Sequence, residues 1–230
     1  MAFGDSITLG EDGNTPTLGA APGALFGWSF PAVVLIGREY PTVLQQVLSA
    51  RYTTQQIVML NAGNRGETAG DPATLVRFTS FASSRVYEVI LLMEGSNDIF
   101  GGTGGNPLGI PPAIANLRRM IGVARNLNIR VFLATVPPMN PAGFRGAQGY
   151  QTVPSLNAEL RLLAVSEGVP LVDVFQAFNG NLSLLSADGL HPNASGYELI
   201  AQTFNTSIRA TLESAPSTQA PFLTREFFFR

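Results

Sequence analysis

The chain has 230 residues, 45% of them hydrophobic and 13% charged, with a net charge of −2. At roughly 150 residues per domain this reads as one compact domain with generous loops, long enough to bury a core unaided. There is no cysteine and no lysine, and His191 is the single histidine, which excludes disulfides, thiolate nucleophiles, Schiff-base chemistry, a complete P-loop and the multi-histidine zinc sites of metallohydrolases.

Met1 to Phe3 reads as a very short opening strand, and the residues given contain no stretch with the pattern of a basic, apolar, cleavable leader. A long segment follows, from Leu9 to Tyr40, rich in Gly, Pro and Ala; a connection of that length in a compact domain is usually functional. Leu25, Phe26, Trp28 and Phe30 stand in it, either lining a substrate pocket or pinning the loop to the core. The apolar run Phe30 to Gly37 is far short of the roughly 20 residues that span a bilayer. From Pro41 the spacing turns helical, with Val43, Leu44, Val47 and Leu48 on one face. Ile57 to Leu60 is then predicted as a buried strand, Asp71 to Ser84 as a helix and Val86 to Met93 as a second strand.

A helix is predicted from Pro111 to Asn126; within it Arg118 and Arg119 are the one adjacent basic pair, so no basic stripe for nucleic acid exists. Strand Arg130 to Thr135, helix Val153 to Ser166, strand Pro170 to Val174 and helix Asn193 to Leu212 complete the rhythm. Strands alternating with helices imply a parallel sheet covered on both faces, with ligands bound at the strands' carboxyl ends. Residues 1–213 are thus expected as one domain. A tail, 214–230, carries Phe222, Leu223, Phe227, Phe228 and Phe229, the one hint of a surface for contact between copies.

Four clusters at strand ends carry residues that acyl transfer needs. In Gly4-Asp5-Ser6-Ile7-Thr8 the glycine permits a sharp turn that would project the Ser6 hydroxyl, while the Ser6 N–H faces a developing oxyanion. Asn61-Ala62-Gly63-Asn64-Arg65-Gly66-Glu67-Thr68 offers the Gly66 N–H as a second donor. Gly95-Ser96-Asn97-Asp98 offers the Asn97 amide, a neutral donor that tolerates burial. Asp188-Gly189-Leu190-His191-Pro192-Asn193 holds the imidazole. Serine needs a base, histidine titrates in the right range, and Asp188 can reach Nδ1 from three residues away, turning Nε2 toward serine.

The ordered set FGDSIT, NAGNRGET, GSND and DGLHPN resembles the SGNH-hydrolase superfamily, the GDSL esterases and lipases, over Phe3 to Asn193. The resemblance implies a three-layer α/β/α sandwich around a parallel sheet of about five strands. It also implies Ser6 as nucleophile, an oxyanion hole of Ser6 N–H, Gly66 N–H and the Asn97 side chain, His191 as base and Asp188 as its orienter. The expected reaction is hydrolysis of small acyl esters, carbohydrate esters among them, without metal or organic cofactor. An acyltransferase of the same family is the nearest alternative, and a non-catalytic glycan-binding relative is a more distant one. A metallophosphoesterase would lack ligands, with one histidine in the chain. The family supplies more apolar residues before the serine than Met1 to Phe3, so the native chain is expected to begin upstream, and a lost leader would place it outside the cytoplasm.

Overall fold

The computed structural model describes residues 1–13, 34–100 and 107–213. Among these, β1 (Ala2–Gly4), β2 (Asn61–Gly63), β3 (Val89–Met93), β4 (Arg130–Ala134) and β5 (Leu171–Val172) form one sheet in the order β2-β1-β3-β4-β5, every pairing parallel. The helices are α1 (Ser6–Leu9), α2 (Tyr40–Arg51), α3 (Pro72–Ser84), α4 (Ser96–Phe100), α5 (Ile110–Asn126), α6 (Gly146–Gly149), α7 (Val153–Glu167), α8 (Val174–Phe178) and α9 (Ala194–Leu212). The predicted pocket residues Leu25, Phe26, Trp28 and Phe30, and the aromatic tail, lie outside the described residues.

Successive strand side chains point to opposite faces, and the two core clusters divide accordingly. Phe3, Ile90, Leu92, Val131 and Leu133 pack with Phe78 of α3, Leu117 and Met120 of α5, and Leu156 and Leu160 of α7. Ala2, Leu91, Met93, Phe132, Ala134 and Val172 pack with Tyr40 and Leu44 of α2 and with Tyr197, Ile200 and Phe204 of α9. The result is a three-layer α/β/α sandwich, and a large apolar side chain buried in either layer contributes about 1.5–3 kcal/mol. Local signals set the helix ends. Asp71 caps α3 by accepting from Ala73 N–H at 2.8 Å, Asn193 caps α9 by accepting from Gly196 N–H at 3.1 Å, and Gly168 ends α7 in the left-handed conformation, φ +63°.

Three predicted strands are displaced or shorter than their apolar runs. The ladder predicted at Ile57 to Leu60 sits at Asn61–Gly63, because Ala2 pairs with Asn61 and no described strand lies beside 57–59. Val86 is 99% exposed, so β3 starts at Val89. β5 stops at Val172 because Asp173 caps α8, its carboxylate accepting from Gln176 N–H at 3.1 Å. Residues 57–59 edge a hollow of about 560 Å³ at the amino ends of the strands, lined also by Met1, Val89 and Leu212. It lies at the opposite end of the sheet from Ser6.

After β1 the chain crosses to β2 on one side of it and then to β3 on the other. That reversal leaves a crevice at the carboxyl end of β1, the topological switch point where such sheets bind ligands. The Arg77 guanidinium of α3 braces this end. It is paired with the Glu67 carboxylate, donates to the carbonyls of Ala62 (2.9 Å) and Gly4 (3.4 Å), and lies 4.0 Å from the centre of the Phe3 ring.

Candidate active site

Gly4 ends β1 where no side chain fits, since a Cβ there would stand 2.0 Å from Thr8 Oγ1 and 2.3 Å from the Met93 carbonyl oxygen. Asp5 then caps α1, its Oδ1 accepting from Ile7 N–H at 2.8 Å, and Ser6 is the first helical residue. This strand–turn–helix fixes the serine at the carboxyl end of β1.

The turn ahead of α9 is fixed as tightly. Asp188 Oδ1 accepts from the N–H groups of Leu190 and His191, each at 3.0 Å, which leaves Oδ2 to face His191 Nδ1 at 2.6 Å. Burial raises the Asp188 carboxyl, but the bond to His191, the charge of that ring and the two N–H groups outweigh it and hold the group below its ordinary value. An ionised carboxylate can only accept, so Nδ1 carries a proton, and in the neutral ring the lone pair then stands on Nε2. Nε2 lies 2.9 Å from Ser6 Oγ, and both residues are buried. Arg145 adds a cation 3.6 Å from Asp188 Oδ2, and its N–H donates to the Asp188 carbonyl at 3.0 Å.

The loops after β2 and β3 join the same crevice. Gly66, at φ +71°, occupies a turn closed by Glu67 N–H donating to the Asn64 carbonyl at 3.3 Å. Asn97 Nδ2 donates to the Glu67 carbonyl at 2.7 Å, and its contact with Asp5 Oδ2 is long, 3.5 Å. Asp98 ties the two loops together, its oxygens accepting from Ala69 N–H and Gly70 N–H at 2.7 Å each. All five motif residues, Ser6, Gly66, Asn97, Asp188 and His191, thus stand in loops or helix starts at the carboxyl end of the sheet.

Sequence reasoning missed Asp98 and Arg145 as braces, and also Glu11, whose Oε2 is 3.7 Å from His191 Nε2 and whose Oε1 is 3.1 Å from Arg65 Nη2. Asp98 and Arg65 lie inside recognised clusters, which is a usable signal. Glu11 and Arg145 stand in connections with neither periodicity nor motif.

Burial pushes the Asp5 carboxyl up to about 7 and Asp98 up to about 6, and it drives Glu94 well above the carboxylate range, helped by Asp5 and Glu67. The folded chain therefore keeps protons that the unfolded chain releases above about pH 4. The stability tied to these protons is complete below that pH and is lost as pH rises toward 7. Asp188, held low, contributes in the opposite sense, its stability present above about pH 4 and lost in stronger acid. The melting temperature is expected to fall from pH 4 to pH 7, and Asp5→Asn, which keeps an acceptor for Ile7 N–H, should flatten that fall by a few degrees. Calorimetry showing the same slope in the variant would mean that Asp5 ionises at its ordinary pH.

Comparison with known proteins agrees with this architecture. A model of the GDSL-like lipase/acylhydrolase family matches residues 2–199. A multidomain esterase of Ruminococcus flavefaciens is 27% identical over 138 residues, which take in 57% of this chain and 17% of that protein. The chain thus spans less than a fifth of that relative's length. Among solved structures, a lipase/acylhydrolase from Enterococcus faecalis superposes with a TM-score of 0.68 at 21% identity, covering 91% of this chain and 94% of that one. A carbohydrate acetylesterase from Sinorhizobium meliloti gives 0.67 at 16% identity, covering 91% and 97%. An acetylxylan esterase from Geobacillus stearothermophilus gives 0.63 at 20% identity, covering 90% and 92%. These likenesses share the fold; the family model runs from the first strand well into the last helix, and by that match the chain belongs to the GDSL-like lipase/acylhydrolase family.

Proposed function

We propose that the protein is a serine carboxylesterase that hydrolyses short-chain acyl esters through an acyl-enzyme on Ser6. The observation that carries this is the unbroken chain from Asp188 Oδ2 through the imidazole to Ser6 Oγ, with contacts of 2.6 and 2.9 Å. Ser6 Oγ attacks the ester carbonyl as His191 Nε2 takes its proton, and Asp188 stabilises the imidazolium. Negative charge gathers on the former carbonyl oxygen, where Ser6 N–H, Gly66 N–H and Asn97 are the donors in reach of this crevice. One Asn97 N–H is bound to the Glu67 carbonyl; the other, with its long contact to Asp5, is the one given to the oxyanion. Collapse expels the alkoxide, which takes the proton from Nε2, and water then releases the acid.

Two structural neighbours are named for acetyl groups on carbohydrates, so acetyl is the acyl group to try first. The test is hydrolysis of p-nitrophenyl esters from acetate to palmitate, with the rate greatest at the short end. In that assay Asn97→Ala is expected to lower kcat by about 10²- to 10³-fold, with a smaller change in KM. A kcat within a factor of a few of the parent would remove Asn97 from the oxyanion hole, and a maximum at palmitate would overturn the short-chain assignment.

A further inference from the structure

Glu11 is buried, 4% exposed, and it is fixed from several sides. Its N–H donates to the Ser6 carbonyl at 3.0 Å, its own carbonyl accepts from Tyr197 Oη at 2.8 Å, and Arg65 Nη2 holds Oε1 at 3.1 Å. Oε2 has no hydrogen-bond partner among the described residues, although it is enclosed and 3.7 Å from His191 Nε2. A buried carboxylate oxygen without a donor is costly, and this one faces the nitrogen that exchanges protons with the reacting groups. An oxygen atom within hydrogen-bond reach of Nε2 can be within reach of Oε2 as well, since 3.7 Å is less than the sum of two such bonds.

We propose that Glu11 Oε2 is the second anchor of the water that hydrolyses the acyl-enzyme; the inference rests on the esterase reading above. Water has two protons. Nε2 accepts one as the water oxygen bonds to the acyl carbon, while the other stays on that oxygen and is hydrogen-bonded to Oε2. The tetrahedral adduct then breaks its bond to Ser6 Oγ; the electron pair returns to Oγ, which recovers the proton from Nε2, and the carboxylic acid leaves. An alcohol acceptor has a single hydroxyl proton, which Nε2 takes, so its carbon would face Oε2. Glu11 thus favours water over alcohols as acyl acceptor, and it serves the second half-reaction more than the first.

Glu11→Gln tests this without a change of shape. Arg65 donates, so the amide turns its oxygen toward Arg65 and presents an N–H to the water where an acceptor stood. With p-nitrophenyl acetate in rapid mixing, the initial burst, which reports acylation, is expected to change less than about threefold. Steady-state deacylation is expected to fall tenfold or more, with an acetyl group on Ser6 accumulating in the mass spectrum. In added methanol the ratio of methyl acetate to acetate should rise by a similar factor. Equal loss in both half-reactions with an unchanged product ratio would overturn the proposal, because a purely electrostatic effect on His191 acts on both steps. Turnover without acetyl-Ser6 in parent or variant, even on rapid acid quenching, would instead overturn the acyl-enzyme reading itself.

Discussion

Ser6→Ala is expected to lower kcat for p-nitrophenyl acetate by about 10⁵- to 10⁶-fold while leaving the melting temperature nearly unchanged. Alanine is a good helix former, and the Asp5 cap of α1 uses the carboxylate and the Ile7 N–H, neither of which the substitution touches. On the proposed mechanism the loss is chemical, through the missing nucleophile. Adding His191→Ala to it should cost little more, because serine and base act as one unit. A variant that kept even a hundredth of parental turnover would show that another group attacks the ester.

Asp188→Asn should be nearly as damaging, about 10⁴-fold in kcat, and the geometry says why. In the parent, Oδ1 accepts from the N–H groups of Leu190 and His191. An asparagine keeps its carbonyl oxygen on those donors, so its NH₂ faces Nδ1. The ring then has to accept at Nδ1 and carry its proton on Nε2, where it meets Ser6 as a donor and cannot take the hydroxyl proton. Because the turn's bonds survive, stability should fall by only about 1–2 kcal/mol. The check is kcat measured beside a denaturant titration: a loss below about a hundredfold would separate Asp188 from the tautomer, and a collapse in stability would move its role to folding.

The order of elements was legible because the apolar runs are separated by helical spacings, and two of the long helices, α3 and α9, begin at residues whose side chains cap them, Asp71 and Asn193. Strand ends were less legible, for a physical reason. A run such as Ile57 to Leu60 is apolar enough for a strand, but a ladder exists only where a neighbour offers its own backbone groups, and β1 offers them from Ala2 onward. The short helices α1 and α4 are too brief to show a period, so they read as turns. The same contrast holds in the crevice. Ser6, Asn97, Asp188 and His191 sit in clusters with recognisable turn chemistry, whereas Glu11 and Arg145 take their positions from contacts that cross the fold and leave no local trace.

The 2.9 Å contact between Ser6 and His191 joins residues 185 positions apart. One lies just past β1 and the other just before α9, so the hydroxyl and the imidazole meet only when the first and last of the described elements close on each other. Closing so long a loop carries an entropic cost that local contacts do not, so the meeting of these two residues is expected to follow the formation of the intervening layers. During synthesis the serine leaves the ribosome long before its histidine, and an incomplete chain carries an ordinary, unreactive hydroxyl. On the esterase reading proposed above, acylating power would arise only once β1 and α9 have come together.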